Sequence, residues 1–318
     1  MMMKNLTRAD CARFLSEHDR FVILTHSDPD GDAVGSAAAL CMGLRQLGKT
    51  AHVLEMSDTP EKYLYLVEGL TKPDAGEGDT VVSVDVAAAH KINNDARHLA
   101  EKVELRIDHH GSATPFAALE LVDSTSAACG EIIYELLTLL GVKLDVPMAN
   151  ALYTAVSTDT GCFRYANTTG RSFALAAACT DVSPDIFRLS QELFDTVTMG
   201  RLRLQSWVVE HMQVRQGGKI AVCGIPADLP EKLNFTLEDM NNLSGFLRSI
   251  EGVKMASTVR QNPDGTISIS VRAVPGCNAA EVCEKFGGGG HKGAAGASME
   301  NVTLDEAVEK LIAAMPEI

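Results

Sequence analysis

In the first half of the chain, apolar positions come as short, uninterrupted runs set between longer stretches of helical periodicity. Residues 21–25 (FVILT), 51–56 (AHVLEM), 80–86 (TVVSVDV) and 103–108 (VELRID) are each bounded by polar or turn-forming residues. Strands buried on both faces have this texture. Helical patterns occupy 33–48, where alanine, glycine and serine provide a small-residue surface for close packing, and 126–141 and 148–161. Strands alternating with helices predict an α/β fold with a mostly parallel sheet flanked by helices.

The texture changes near residue 184. One long helical region runs over 183–214, followed by apolar runs at 219–225 and 253–261. Asn-Pro-Asp-Gly at 262–265 then leads into the alternating TISISVRAV, which predicts a hairpin. Helical patterns at 279–286 and 304–315 enclose the run GGGGHKGAAG at 287–296, and the chain contains no internal repeat. The expected organisation is a catalytic α/β domain over 1–185, a helical linker over 186–211 and a smaller α/β domain over 212–318.

Composition narrows the picture. The 318 residues suit two domains, and 46% hydrophobic with 22% charged residues argues against a disordered chain. No apolar run approaches the roughly 20 residues of a membrane span, and the first residues lack a secretory stretch. A cytoplasmic protein with no membrane partner is therefore expected. Twenty-eight basic against 42 acidic side chains give a net charge of -14. Such a surface cannot replace the counterions of long duplex nucleic acid. It does permit a small phosphorylated substrate, because a few arginines and metal ions can reverse the field inside one cleft. Eight cysteines without a C-x-x-C pair read as reduced thiols, not as an iron–sulfur or structural zinc site.

Candidate chemistry gathers at predicted strand ends. His26, Asp28, Asp30 and Asp32 crowd the turn after 21–25, where parallel sheets bind ligands. Carboxylates this close repel one another unless cations neutralise them, although an acidic, capped surface turn is the plain alternative. Asp85 sits in an apolar strand, Asp108, His109 and His110 end the next one, and Asp159 closes an apolar helical segment. Imidazoles mixed with carboxylates suit Mn²⁺ or another borderline divalent ion better than an all-oxygen cage does. The ligands suffice for two ions sharing one carboxylate, an arrangement that hydrolyses phosphate esters.

The glycine run permits close backbone approach and exposes amides that could cradle phosphate, with His291 and Lys292 adding charge. It lacks the G-K-[ST] ending of a P-loop and is not G-x-G-x-x-G, which counts against ATPase and dinucleotide-cofactor readings. Arg260 and Arg272 flank the hairpin turn. Alternation sets Arg272 with Ser268 and Ser270, opposite Ile267, Ile269 and Val271, so it could clamp phosphate.

HSDPDGDAVGS at 26–36, VSVD at 82–85, DHHG at 108–111, STDTGCFRY at 157–165 and GGGGHKGAAG at 287–296 resemble, in order, the motifs of the DHH/DHHA1 phosphoesterase superfamily. The similarity is greatest to its compact branch of short-oligoribonucleotide hydrolases, many of which also dephosphorylate 3'-phosphoadenosine 5'-phosphate. The resemblance implies an N-terminal DHH domain, a DHHA1 domain and an active site in the cleft between them. It implies that His26, Asp30 and Asp85 hold one Mn²⁺ and that Asp32, Asp85, His109 and Asp159 hold a second, Asp85 bridging, with Mg²⁺ or Co²⁺ able to substitute. His110 would lie near the scissile phosphate and Asp108 would orient the histidines, while Asp28 falls outside the ligand set. Arg272, Gly288, Gly289, His291 and Arg260 would grip the substrate. One departure is Ala113, where the family often has asparagine. The implied substrates are short 5'-phosphorylated oligoribonucleotides and bisphosphorylated nucleotides. Rival readings are a cyclic or linear dinucleotide phosphodiesterase, a manganese pyrophosphatase and a non-catalytic nucleotide-binding regulator. The glycine–histidine run disfavours the pyrophosphatase and the complete ligand set disfavours the regulator. Oligomeric state stays open, a homodimer included.

Overall fold

The computed structural model describes residues 5–111 and 114–318. The chain divides into two units, Met1–Thr196 and Val197–Ile318, each with its own core.

Strands β1 (Phe21–Leu24), β2 (Ala51–Leu54), β3 (Thr71–Lys72), β4 (Thr80–Val84), β5 (Val103–Asp108) and β6 (Leu119–Val122) form the sheet of the first unit. Their order is β3-β2-β1-β4-β5-β6 and every pairing is parallel. The chain builds outward from β1 through β2 to β3, then returns to place β4 on the other side of β1. Order therefore reverses between β1 and β4, and a crevice opens beyond the carboxyl ends of such a pair. All residues of β1 and β4 are buried, in keeping with their unbroken apolar runs. Helices α1 (Arg8–Glu17), α2 (Gly31–Gln46), α3 (Cys129–Leu139), α4 (Val146–Asp159), α5 (Gly170–Val182) and α6 (Ile186–Ser190) complete the unit.

Small residues decide how α2 meets α4. A Cβ on Gly35 would stand 2.4 Å from the Ala151 carbonyl oxygen, and one on Gly31 would stand 2.5 Å from the Thr158 side chain. Backbone can approach backbone only because those atoms are absent. The crossing brings the start of α2 to the end of α4. Asp145 caps α4 through the Met148 amide, with Pro147 in the first turn, where its missing N–H costs nothing.

In the second unit, β7 (Gln213–Arg215), β8 (Ile220–Ile225), β9 (Met255–Gln261), β10 (Ile267–Ala273), β11 (Gly289–His291) and β12 (Ala294–Met299) lie in the order β11-β12-β10-β9-β8-β7. Only β8 and β9 pair in parallel. The expected turn joins β9 to β10, the Gly265 amide donating to Asn262. In β10, Ile267, Ile269 and Val271 enter a core shared with α10 (Ala279–Glu284) and α11 (Leu304–Ala314), while Ser268, Ser270 and Arg272 take the other face. That core lies apart from a second one, where α7 (Met199–His211), α8 (Leu229–Leu233) and α9 (Leu243–Arg248) pack.

Residues 186–211, read from sequence as a linker, divide between the units. Ile186 and Leu189 join the first core, whereas Leu204 and Val208 join a core of the second. All eight cysteines are free and six are buried. Burial pushes the Cys11 thiol up to about 12 and the Cys41 thiol up to about 11, which keeps them protonated. Among the described residues, no helix is long and apolar enough to cross a membrane.

Candidate active site

The crevice beyond β1 and β4 collects the acidic and histidine residues named from sequence. His26 stands two residues past β1, in a turn braced by the Ser27 amide donating to Lys91 and the Asn93 amide donating to Thr25. Its Nδ1–H donates to the Ser27 carbonyl at 2.7 Å. Nε2 is left facing Asp85 at 3.6 Å and Asp30 at 3.9 Å. Asp30 caps α2, its Oδ1 accepting from the Asp32 and Ala33 amides, both at 3.0 Å. That cap starts the helix at Gly31, two residues before the apolar pattern does. Asp28 adopts φ +50 and donates its amide to Asp58, so it shapes the turn and joins none of the clusters below.

Asp32 is fully buried in the first turn of α2. Its Oδ2 accepts from the Cys129 amide at 2.6 Å, and its Oδ1 accepts from the Gly130 amide and the Ser36 hydroxyl, both at 2.9 Å. It thus satisfies the exposed amides of α3, whose own N-cap residue, Ala128, has no side chain to do so. Asp85 directly follows β4 with φ +57, and His109 and His110 directly follow β5. Asp159 ends α4. His109 repeats the arrangement of His26: Nδ1–H donates to the Ser126 carbonyl at 3.3 Å, and Nε2 faces Asp159 at 3.3 Å, Asp85 at 3.4 Å and Asp32 at 3.7 Å.

Three overlapping groups result, each with its donor atoms within 4.8 Å of one another: His26, Asp30 and Asp85; Asp32, His109 and Asp159; and Asp85, His109 and His110. The donors fit a divalent cation on two counts. Backbone carbonyls fix both ligand-type imidazoles in the tautomer that presents Nε2 to the carboxylates. Asp85 Oδ1 is buried without a hydrogen-bond partner, a costly state that a cation would relieve.

Without a cation, protons carry part of the charge balance. Burial disfavours charge on His26 and His109, but neighbouring carboxylates outweigh it and lift each to about 11. Burial likewise opposes charge on Asp85, yet the same two imidazoles hold its carboxyl well below the usual range. Burial pushes Asp159 up to about 7 despite His109, with Asp85 and Asp30 adding repulsion. Asp32 is driven well above its ordinary value, chiefly by burial and then by Asp85 and Asp159.

His110 is held differently. Its Nδ1–H donates to Asp108 Oδ1 at 2.7 Å, which lifts its pKa against the effect of burial and leaves Nε2 free. Asp108 also accepts the amides of His109 and His110. Its other oxygen accepts from Arg106 at 3.0 Å. The sequence reading did not single out Arg106, the largest fully buried side chain among the described residues. The Arg106 guanidinium also reaches Glu120 and the Thr114 carbonyl, and stacks 5.2 Å from the Phe116 ring centroid. The signal was available: an arginine two positions before Asp108 shares its face of an apolar strand. Its partner, Glu120, is fixed only by the register of β5 against β6. Ala113, the departure noted from sequence, lies outside the described residues.

In the second unit, Gly289–His291 form an edge strand paired with β12 instead of a loose loop. A Cβ on Gly288 would stand 2.2 Å from the Gly296 carbonyl oxygen, so glycine is needed for this approach. Arg272 lies opposite Ala294, the β12 residue that also pairs with His291, so these two belong to one end of the sheet. Arg260 does not join them. It lies opposite Ser268 at the turn end of the hairpin, four residues along β9 from the partner of Arg272, or ~14 Å.

Sequence and structural comparisons agree with this architecture. The chain belongs to the DHH/DHHA1 superfamily: the DHH family, N-terminal domain, matches residues 20–156 and the DHHA1 domain matches residues 204–318. Within it, the chain is related to the NrnA-like branch. The bifunctional oligoribonuclease and PAP phosphatase NrnA of Thermus thermophilus is 32% identical over 299 residues, covering 93% of this chain and 89% of the relative. NrnA of Bacillus subtilis is 28% identical over 298 residues, covering 92% and 93%. An exopolyphosphatase-related protein from Bacteroides fragilis shares the fold with a TM-score of 0.87 at 22% identity, covering 96% and 94% of the two chains.

Proposed function

We propose that the protein is a metal-dependent phosphoesterase that cleaves short 5'-phosphorylated oligoribonucleotides to nucleoside 5'-monophosphates and converts 3'-phosphoadenosine 5'-phosphate to AMP and phosphate. The observation that carries this reading is Asp85, buried, with an unpartnered oxygen, and common to two of the three donor groups. His26, Asp30 and Asp85 would hold one ion and Asp32, Asp85, His109 and Asp159 another, with Mn²⁺ the ion best suited to mixed imidazole and carboxylate donors. Bound there, divalent ions supply charge neutralisation at phosphate oxygens and acidification of water.

The chain's own groups do the rest. Ser27 and Ser126 fix the two ligand imidazoles through their carbonyls. Asp108 holds His110 with its proton on Nδ1 and raises its pKa, so protonated His110 can stabilise phosphate charge and give its Nε2 proton to the leaving oxygen. Arg272, Gly288, Gly289 and His291 are proposed as the substrate-holding set of the second unit, and Arg260 stands outside it. Support for the substrate class comes from the NrnA relatives, matched over nearly their full lengths, and from a net charge unfavourable to long nucleic acid.

The test is a side-by-side incubation with Mn²⁺ of a 5'-phosphorylated dinucleotide, 3'-phosphoadenosine 5'-phosphate, cyclic-di-AMP and pyrophosphate, with Asp85→Asn as the blank. Cleavage of the first two and a loss of about a thousandfold or more in Asp85→Asn are expected. Turnover of only the cyclic dinucleotide or only pyrophosphate would replace this substrate assignment.

A further inference from the structure

Just past Asp159 the backbone takes an unusual course. Gly161, Cys162 and Phe163 have φ of +56, +57 and +63, three left-handed residues in succession. Two of them carry side chains, for which this conformation is disfavoured. The surroundings hold the turn in place. The Cys162 amide donates to the Ser157 carbonyl at 2.7 Å, the Phe163 amide to the Thr160 hydroxyl at 3.1 Å, and the Arg164 and Tyr165 amides to the Thr160 carbonyl at 3.0 and 2.9 Å. Phe163 stacks on Phe173 with ring centroids 5.3 Å apart. Asn167 pins the assembly by donating to the carbonyls of Asp159 and Ala127, both at 3.1 Å.

The turn follows Asp159 directly and presents two side chains to solvent. Arg164 folds back, its Nε donating to the Gly161 carbonyl at 2.7 Å. Its Nη groups have no partner among the described residues. Tyr165 lies with its ring against Gly161, where a Cβ would stand 2.3 to 2.5 Å from three ring carbons. The absence of a Cβ on Gly161 leaves the space that the ring occupies, and 48% of Tyr165 stays exposed. The turn thus offers a guanidinium with a free edge and an aromatic ring with an open face, both folded over a residue two positions from Asp159. A free guanidinium edge recognises phosphate oxygens, and an open ring face stacks with a nucleobase. Such a cation is also what a phosphodiester needs when approaching Asp30, Asp32, Asp85 and Asp159.

We infer that Arg164 and Tyr165 form a nucleotide-holding pair in the first unit, Arg164 binding phosphate oxygens of the substrate and Tyr165 stacking on its base. This assignment rests on the phosphoesterase reading above.

Steady-state kinetics with the Mn²⁺-loaded protein test the pair, using a 5'-phosphorylated diadenylate and the same molecule with one abasic nucleotide. Arg164→Ala should raise KM for the diadenylate by about 10- to 100-fold, with a smaller change in kcat, and Arg164→Lys should recover part of that loss. Tyr165→Ala should lower kcat/KM for the diadenylate about tenfold and erase its advantage over the abasic substrate, whereas Tyr165→Phe should keep that advantage. Arg13→Ala, an exposed arginine on α1, serves as the control for loss of one positive charge. An unchanged KM in Arg164→Ala, or an equal loss on both substrates in Tyr165→Ala, would overturn the inference. A wild-type protein that leaves the diadenylate intact would instead overturn the reading on which it rests.

Discussion

Asp32 and Asp159 both approach His109 Nε2, but their oxygens differ in what else they hold. Those of Asp32 accept three hydrogen bonds, two from the amides that begin α3. Among the described residues, the Asp159 carboxylate has no amide or hydroxyl donor, and burial lifts its pKa to about 7 despite His109 at 3.3 Å. The sign of its effect on stability follows. Between the unfolded value near 4 and the folded value near 7, the folded state binds the extra proton, so the metal-free protein loses stability as pH rises through that window. Asp159→Asn should therefore raise the Tm of chelator-treated protein at pH 8 and leave it nearly unchanged at pH 4, as read by thermal unfolding at both pH values. At this scale much of the site was legible. A carboxylate inside VSVD or a histidine pair at a strand end needs a reason to be there, and the sequence displays both residue and context. Arg106–Glu120 and the Arg164–Tyr165 turn were not legible, because register and backbone conformation create them, not residue type alone.

At the scale of elements, the crossing of α2 and α4 sets how closely Asp30 and Asp32 can approach Asp159. Helix propensity favours Gly35→Ala by about 1 kcal/mol. Overpacking opposes it, since the new Cβ would stand 2.4 Å from a backbone oxygen that cannot rotate away. Overpacking typically costs about 1–3 kcal/mol and should win. Gly35→Ala is expected to lower stability by up to about 2 kcal/mol in urea unfolding, the difference of the two effects, and to weaken Mn²⁺ binding by calorimetric titration. The four read strands of the first sheet were visible because each is a short run rich in apolar, mostly buried positions between turn residues. β6 was not, since Glu120 interrupts it, and β11 and β12 were not, because glycine and alanine carry little strand signal and only pairing makes them strands. The helical periodicity of 183–214 overran its true ends. Thr196 leaves the helical conformation, and Thr198 caps a new helix that belongs to the other unit.

At the scale of the whole molecule, every cation ligand proposed lies between residues 26 and 159, inside Met1–Thr196. A cation that binds only the folded first unit should stabilise that unit alone. Scanning calorimetry is expected to resolve two transitions. Mn²⁺ at a hundredfold its dissociation constant should contribute ~2.7 kcal/mol to one of them, a shift of about 5–10 °C, and leave the other in place. A single transition moved as a whole would show that the two units unfold together. The two-unit division was foreseeable from the change of texture near residue 184. Its placement between Thr196 and Val197 was not, because it depends on which core each helix joins.

The dispersion of the acidic cluster along the parallel sheet also bears on synthesis. His26 leaves the ribosome early, but Asp85 must wait for β4, His109 for β5, and Asp159 for the end of α4. At roughly 5–20 residues per second, ten seconds or so separate the first ligand from the last. Until β4 and Asp85 emerge, His26 and Asp30 have no third donor to close around. The group of His26, Asp30 and Asp85 is therefore complete in the chain well before that of Asp32, His109 and Asp159, so the two cation positions would become available in sequence during synthesis, both ahead of the last helices of the first unit.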